Sequence, residues 1–493
     1  MIYALKYDSM TDCEKVLALS LQGVVNRYGR SVFIDVDKYA DYLDGERLTY
    51  VNVDELVGLF ADRFKGFVTY DLSFNDVSVN MAATVSAAYD VLGVPRPLKA
   101  VAENAGLAEL YDLANVRGSN AERQKTVFDA VYPLLNRGGL VHQVVKKGNF
   151  HLRLRDLAIA NRWACIYTSE SGEDRAFRRY VLERLDNNIP VYGWNDDEIA
   201  FIKDISSYGD YALPTDWSCN HSFFRFDAVN LRQHRQESPV RADKHYVALV
   251  VSDGDNIQWL ERDFSLPQGA FGQRKASPCK YKMTWTFSPS LSGINPKAAQ
   301  HIYNQAESDY FISGVSGVGY ANCLEYPAEH LDEFAKLTAE AMERSDLSVV
   351  CLLDNVANAQ NSQFVKDRLH FYSRFDTIKG GIWELDPDRY GSGNGRIFFS
   401  DGKPFVSVRF TMWYPTGNKD DVSREWLDGL ARQVNAMPVD PASERGYSVV
   451  NVHPWTMSQD SVDYFVSRLD KDRIELVYAD ELLSLVKRNI KEK

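Results

Sequence analysis

The sequence predicts an α/β protein: an open, Rossmann-like α/β domain followed by a (β/α)7–8 barrel-like domain. Short apolar runs alternate with amphipathic stretches from end to end, the pattern of βαβ units and parallel sheets. In the second half, eight strand-like runs with mainly helical crossovers fill the ~250 residues such a barrel needs. Between the halves, residues 227–244 (DAVNLRQHRQESPVRADK) are polar, weakly patterned and basic in the middle, as a connection would be. The expected domains are residues 1–226 and 245–493, joined by this linker.

In the first half, strands are expected at 31–36, 66–71, 98–102, 142–145, 164–168 and 190–192. Helices are expected at 11–27, 77–92, 121–135 and 174–185. No G-x-G-x-x-G and no Walker-type glycine loop lies between a strand and a helix, so this half is read as binding no nucleotide. In the second half, strands begin near His245, Tyr281, Tyr310, Leu347, Thr377, Pro404, Tyr447 and Ile474. Helical patterns at 296–307, 328–344, 362–372, 423–435, 459–469 and 479–489 fit between and after them. Residues 385–403, rich in Gly and Asp, read instead as a long loop with a hairpin, GRIFFSDGKPF. A seven-stranded, incompletely closed barrel fits nearly as well as eight strands.

A chain of 493 residues buries enough core to fold without a metal or disulfide. Its 45% apolar and 25% charged residues are those of an ordinary globular protein. The net charge of −12 has the wrong sign for a nucleic-acid surface or an anionic membrane. No run of eighteen apolar residues exists to span a bilayer. The six cysteines are widely scattered with no C-x-x-C, which suits buried thiols in a reducing compartment. With no basic-then-apolar leader at the start, the chain reads as cytoplasmic, although a processed secreted form would look the same.

The predicted strand ends carry the chemistry, because reactive groups of such barrels sit where strands finish. The first, HYVALVVSDGDN, ends on Asp253, Asp255 and Asn256; the second offers Trp285 and Ser288. The third leads into Tyr320, Asn322, Glu325 and Tyr326. Later strands end on Asp354-Asn355, Glu384, Arg409 with Trp413, and His453 with Trp455. Asp253, Asp255, Glu384 and His453 are the candidate catalytic groups. Asn256, Trp285, Tyr320, Glu325, Asp354, Arg409, Trp413 and Trp455 are candidate substrate contacts, since aromatic planes suit pyranose faces and polar groups orient hydroxyls.

Two carboxyls flanking one bond, one protonated by burial and one ionised, are what glycoside hydrolysis requires. The DGDN segment also reads as a plain turn. It is not a calcium loop, because Gln258 and Phe264 stand where Gly and Glu would be needed. No H-x-x-x-H or H-E-x-x-H pair exists, so no metal or other cofactor is expected; any metal would have to rest on carboxylates such as Asp253 and Asp255 with His453.

Four segments occur in order: LQGVVNR (21–27), VVSDGDNIQW (250–259), FSPSL (287–291) and GVGY…YP (317–320 and 326–327). Together they resemble the glycoside hydrolase family named for its GxGYxYP motif, with its N- and C-terminal domain pair. The resemblance spans about residues 10 to 480 and implies a carbohydrate substrate. Five residues, 321–325, separate the two tyrosines where the family's name allows one. The DGDN strand end and the terminal VHPW are also similar to polysaccharide deacetylases, which would imply a metal-dependent hydrolase. A sugar-binding protein without a working acid pair is the third reading.

Overall fold

The computed structural model describes residues 1–146, 152–233, 243–306, 309–354, 362–386 and 388–491. Asn355 and residues 234–242 of the expected linker lie outside them. The chain divides into two units, residues 1–228 with 293–298, and residues 229–292 with 299–493. Both are α/β with parallel sheets. Among the described residues no helix is long and apolar enough to cross a membrane.

Among its described residues the first unit contains three small parallel sheets rather than one open sheet. Strand β1 (Ile2–Lys6) lies between β2 (Val32–Asp35) and β3 (Leu48–Tyr50). Strand β4 (Phe67–Tyr70) lies between β5 (Leu92–Pro95) and β6 (Glu109–Asp112). The third sheet joins β7 (Leu140–His142), β8 (Ala164–Ile166), β9 (Pro190–Gly193) and β10 (Tyr211–Leu213) in the order β10-β9-β7-β8. Strand–helix alternation dictates parallel pairing but not which strands become neighbours, hence the difference. The strand expected at 98–102 is instead a 3-10 turn, Arg96–Leu98, running into the helix Lys99–Asn104.

The LQGVVNR segment ties this unit together. On the helix Asp12–Val25, Gln22 donates to Val32 O and to Asn220 Oδ1. Asn26 donates to Val32 O and accepts from the Ser31 and Val32 amides. Arg27 pairs with Asp90 and donates to Ile159 O at 2.8 Å. A Cβ on Gly23 would fall 2.6 Å from Ile159 Cβ, so the helices touch only because this position is glycine.

In the second unit, β11 (His245–Val251) pairs in parallel with β12 (Met283–Phe287), β19 (Tyr447–Val452) and β20 (Ile474–Leu476). The six-stranded sheet continues through β13 (Asp309–Ser313) on one side and β18 (Phe410–Met412) on the other. A second sheet holds β14 (Val349–Asp354), β15 (Gly380–Leu385), β17 (Lys403–Ser407) and β16 (Ile397–Ser400). The β16–β17 pair is the antiparallel hairpin, turned by Asp401 and Gly402, both at positive φ. Among the described residues no continuous ladder closes the two sheets into a barrel. They meet at a bridge between Val315 and Cys351, where Cys351 N–H also donates to Ser313 Oγ, and where Val408 N–H donates to Trp383 O while Arg409 N–H donates to Val449 O.

Side-chain alternation along these strands sorts one face from the other. Ala248, Val250, Ile312, Cys351, Ile382, Val406, Val408 and Val449 share one core with Leu482, Leu483 and Val486 of the C-terminal helix Ala479–Asn489. Each fully buried Val, Ile or Leu among them is worth roughly 1.5–3 kcal/mol. Leu483 lies over Gly380, the first residue of β15, so this helix covers the end where strands begin and leaves the other end for the site. The described part of the expected linker is anchored: Leu231 is buried, and Gln233 hydrogen-bonds Phe311 and Asp346.

Candidate active site

The end of β11 is shaped by its backbone. Asp253 stands at φ +66°. Gly254 N–H donates to Thr286 Oγ1 at 2.8 Å, and that hydroxyl donates onward to Val251 O at 2.7 Å. A Cβ on Gly254 would sit 1.9 Å from Thr286 O, so only glycine passes here. Gly314 likewise lets the chain after β13 approach the Asp255 backbone, where a Cβ would lie 2.9 Å from its nitrogen. Asn256 caps the helix Ile257–Arg262, its Oδ1 accepting from Trp259 N–H at 3.2 Å.

Asp253 is an acceptor throughout. Ser252 Oγ donates to its Oδ2 at 2.5 Å and Trp455 Nε1 to its Oδ1 at 2.8 Å. His453 Nε2 stands 3.9 Å from Oδ2. Burial lowers the His453 pKa below its usual 6.5, against an opposing pull from Asp253. Its ring stacks on Trp413 with centroids 3.7 Å apart and 5° between planes, and its Nδ1 faces Thr456 Oγ1 at 3.1 Å. Tyr390 meets Trp413 edge-on. Trp455, 42% exposed, leans on Trp259. Imidazole, carboxylate and indoles therefore form one continuous surface.

Below that surface lies Glu384, fully buried on the inward face of β15. Asn451 Nδ2 donates to its Oε1 at 2.9 Å, whereas Oε2 has no hydrogen-bond partner among the described residues. Burial, then the charges of Asp253 and Asp255, hold its pKa well above the usual 4.5; the Asn451 bond pulls weakly the other way. The Cys351 thiol is also pushed up, by burial and then by Glu384 and Asp255. Asn451 and Cys351 were not sequence candidates, although Asn451 lies two residues before His453 and so shares its face.

The remaining candidates lie elsewhere. Trp285 points to the other face of β12 and packs edge-on against Phe264 and Phe271, 2% exposed. It is core, not a sugar platform. Arg409 donates to the carbonyls of Gly395, Glu444 and Tyr447, at the start of β19 and away from His453. Asp354 is sealed outside the inward face, accepting from Leu324 N–H, Cys323 Sγ and Trp383 Nε1. Burial raises it to about 7. Glu325, beside it, accepts from Asn322 Nδ2 at 3.4 Å, and Tyr320 is buried. Both prolong the loop after β13. The shift of a single residue along a strand moves a side chain to the opposite face, which separates Trp285 and Arg409 from the site.

Among the described residues, no group of three or more His, Cys, Asp or Glu is arranged to hold a metal ion. The arrangement sets carboxyl groups of different burial, Asp253 and Glu384, close to the aromatic side chains Trp413 and Trp455.

The family described as "GxGYxYP putative glycoside hydrolase C-terminal domain" matches residues 243–487, and the "GxGYxYP third domain" matches residues 143–224. The chain belongs to the GxGYxYP family. A crystal structure described as a putative hydrolase from Bacteroides thetaiotaomicron VPI-5482 is similar over 99% of this chain and 94% of its own, with 25% identity and a TM-score of 0.82. No curated protein matches significantly.

In this GxGYxYP chain the motif itself is architectural. Gly317 has φ +109°. Its place against Thr338, whose Oγ1 accepts from Val318 N–H at 3.1 Å, leaves no room for a Cβ. Ser290 of the FSPSL turn donates to Val318 O. Tyr326 is fully buried against Phe334, and its carbonyl accepts from Arg368 at 2.8 Å.

Proposed function

We propose that this GxGYxYP chain is a hydrolase that cleaves a glycosidic bond at the C-terminal ends of β11, β15 and β19. The two sheets of its second unit are read as an incompletely closed barrel with this site at its mouth. One observation carries the reading: neighbouring carboxyl groups sit in opposed environments. Burial and then Asp253 and Asp255 raise the pKa of Glu384, while Asp253 accepts hydrogen bonds from Ser252 and Trp455. Glycoside hydrolysis needs one carboxyl that gives a proton and one that acts as base or nucleophile, and divergent environments divide those roles.

In this reading Asp253 is the base or nucleophile. Glu384 is covered, so Asp255, itself 8% exposed, meets the leaving oxygen and draws its proton from Glu384. His453, neutral at pH 7, fixes the Trp413 plane. Trp413 and Trp455 offer apolar faces to a sugar ring. The family's description and the hydrolase-titled relative support the reaction class.

The test is a panel of aryl glycosides and acetylated sugars, each run with and without EDTA. Glycoside cleavage indifferent to EDTA supports the reading. Acetate release abolished by EDTA would replace it with metal-dependent deacetylation.

A further inference from the structure

A cavity lies in the second unit, at the opposite end of β19 from His453. It measures about 590 Å³ and is bounded by the edge strand β16, the turn before β19 and the residues after the C-terminal helix. Among the described residues Lys366, Arg396, Arg445 and Lys491 line it, against one carboxylate, Glu444. Ile397, Phe398, Phe399 and Ile490 supply apolar lining. Among the described residues Lys366, Arg445 and Lys491 make no ion pair. Arg396 carries its guanidinium over the Phe398 ring, 5.4 Å from the centroid.

Four cations lining one cavity stand out in a chain of net charge −12. Like charges facing one cavity repel, and a bound oxyanion relieves that repulsion while accepting charge-assisted hydrogen bonds from several donors. The apolar lining adds a preference for a ligand with an apolar face. The volume lies within the range of small-molecule sites.

We propose that this cavity binds a small organic oxyanion, a phosphate, sulfate or carboxylate carried on an apolar or ring-shaped body. The site is independent of the carboxyl cluster and of the reaction assigned to it. Lys366 and Arg445 hold the oxyanion, and the Phe398 side of the cavity takes the body.

Isothermal titration of the full chain with inorganic phosphate, phenyl phosphate and phenol tests this. Phenyl phosphate is expected to bind at one site, at least tenfold tighter than inorganic phosphate, with no heat from phenol. The Lys366→Ala/Arg445→Ala double variant is expected to weaken it at least tenfold. Its melting temperature should be unchanged, because neither side chain is buried. No binding of phenyl phosphate, equal affinity for phosphate and phenyl phosphate, or undiminished binding in the folded double variant would each overturn the proposal.

Discussion

Asn451 and Glu384 join strands that share no ladder: Asn451 Nδ2 on β19 donates to Glu384 Oε1 on β15 at 2.9 Å, across an otherwise apolar core. The bond fixes one carboxyl oxygen and leaves the other without a hydrogen-bond partner among the described residues, in a group whose pKa burial and then Asp253 and Asp255 raise. Burying a charge here would be costly, which favours the neutral acid.

That neutrality has a stability signature. The folded pKa of Glu384 is raised above its usual 4.5, so its contribution is complete below that value and is lost as pH climbs toward the folded value. Glu384→Gln removes the titration. Denaturant unfolding between pH 4 and 8 should show the wild type losing stability relative to the variant as pH rises; parallel curves would contradict a raised pKa.

His453 behaves in the opposite sense. Its folded pKa is below 6.5, so the stability it contributes is present above 6.5 and lost as pH falls through that value toward the folded one. Proton NMR titration of the His453 ring should give a midpoint below 6.5. A midpoint above it would mean that Asp253 outweighs burial.

Gly254→Ala should be severe. The added methyl meets Thr286 O at 1.9 Å, and relief requires moving the Asp253–Asn256 turn. A loss of about 2–4 kcal/mol, measured by chemical denaturation, is expected from backbone strain of this kind. Unchanged stability would show the turn to be more pliable than its contacts indicate.

Two tryptophans should part company. Trp285→Ala empties an aromatic cluster and should cost about 3–5 kcal/mol. Trp455→Ala, at a partly exposed ring, should leave melting nearly untouched while weakening sugar binding. Equal melting temperatures for the two variants would contradict these placements.

Much of the second unit was legible because its helices are long and strongly periodic; the helices Ala328–Arg344 and Ala479–Asn489 coincide with the expected 328–344 and 479–489. The first unit was less so. Residues 98–102, LKAVA, are apolar and short, which suits strand and helix equally, while the actual neighbour, β5, is the preceding LGVP. At the site, Asp253, His453, Trp413 and Trp455 come together because strand ends announce themselves in the sequence. Which way a side chain points there depends on register, so Trp285 and Arg409 could not be told apart from pocket residues. Asn451 was hidden inside the apolar run VVNV, where its period-two relation to His453 was the available signal.

The central claim is that opposed carboxyl environments at this site drive hydrolysis. Its most direct test is kcat/KM for the best-cleaved glycoside with wild type, Asp253→Asn and Glu384→Gln, each checked for an unchanged fold. Proton-transfer catalysis is worth ~10²–10⁴-fold. Losses on that scale in both variants, with sugar binding retained, are predicted. Full activity in both would contradict the claim.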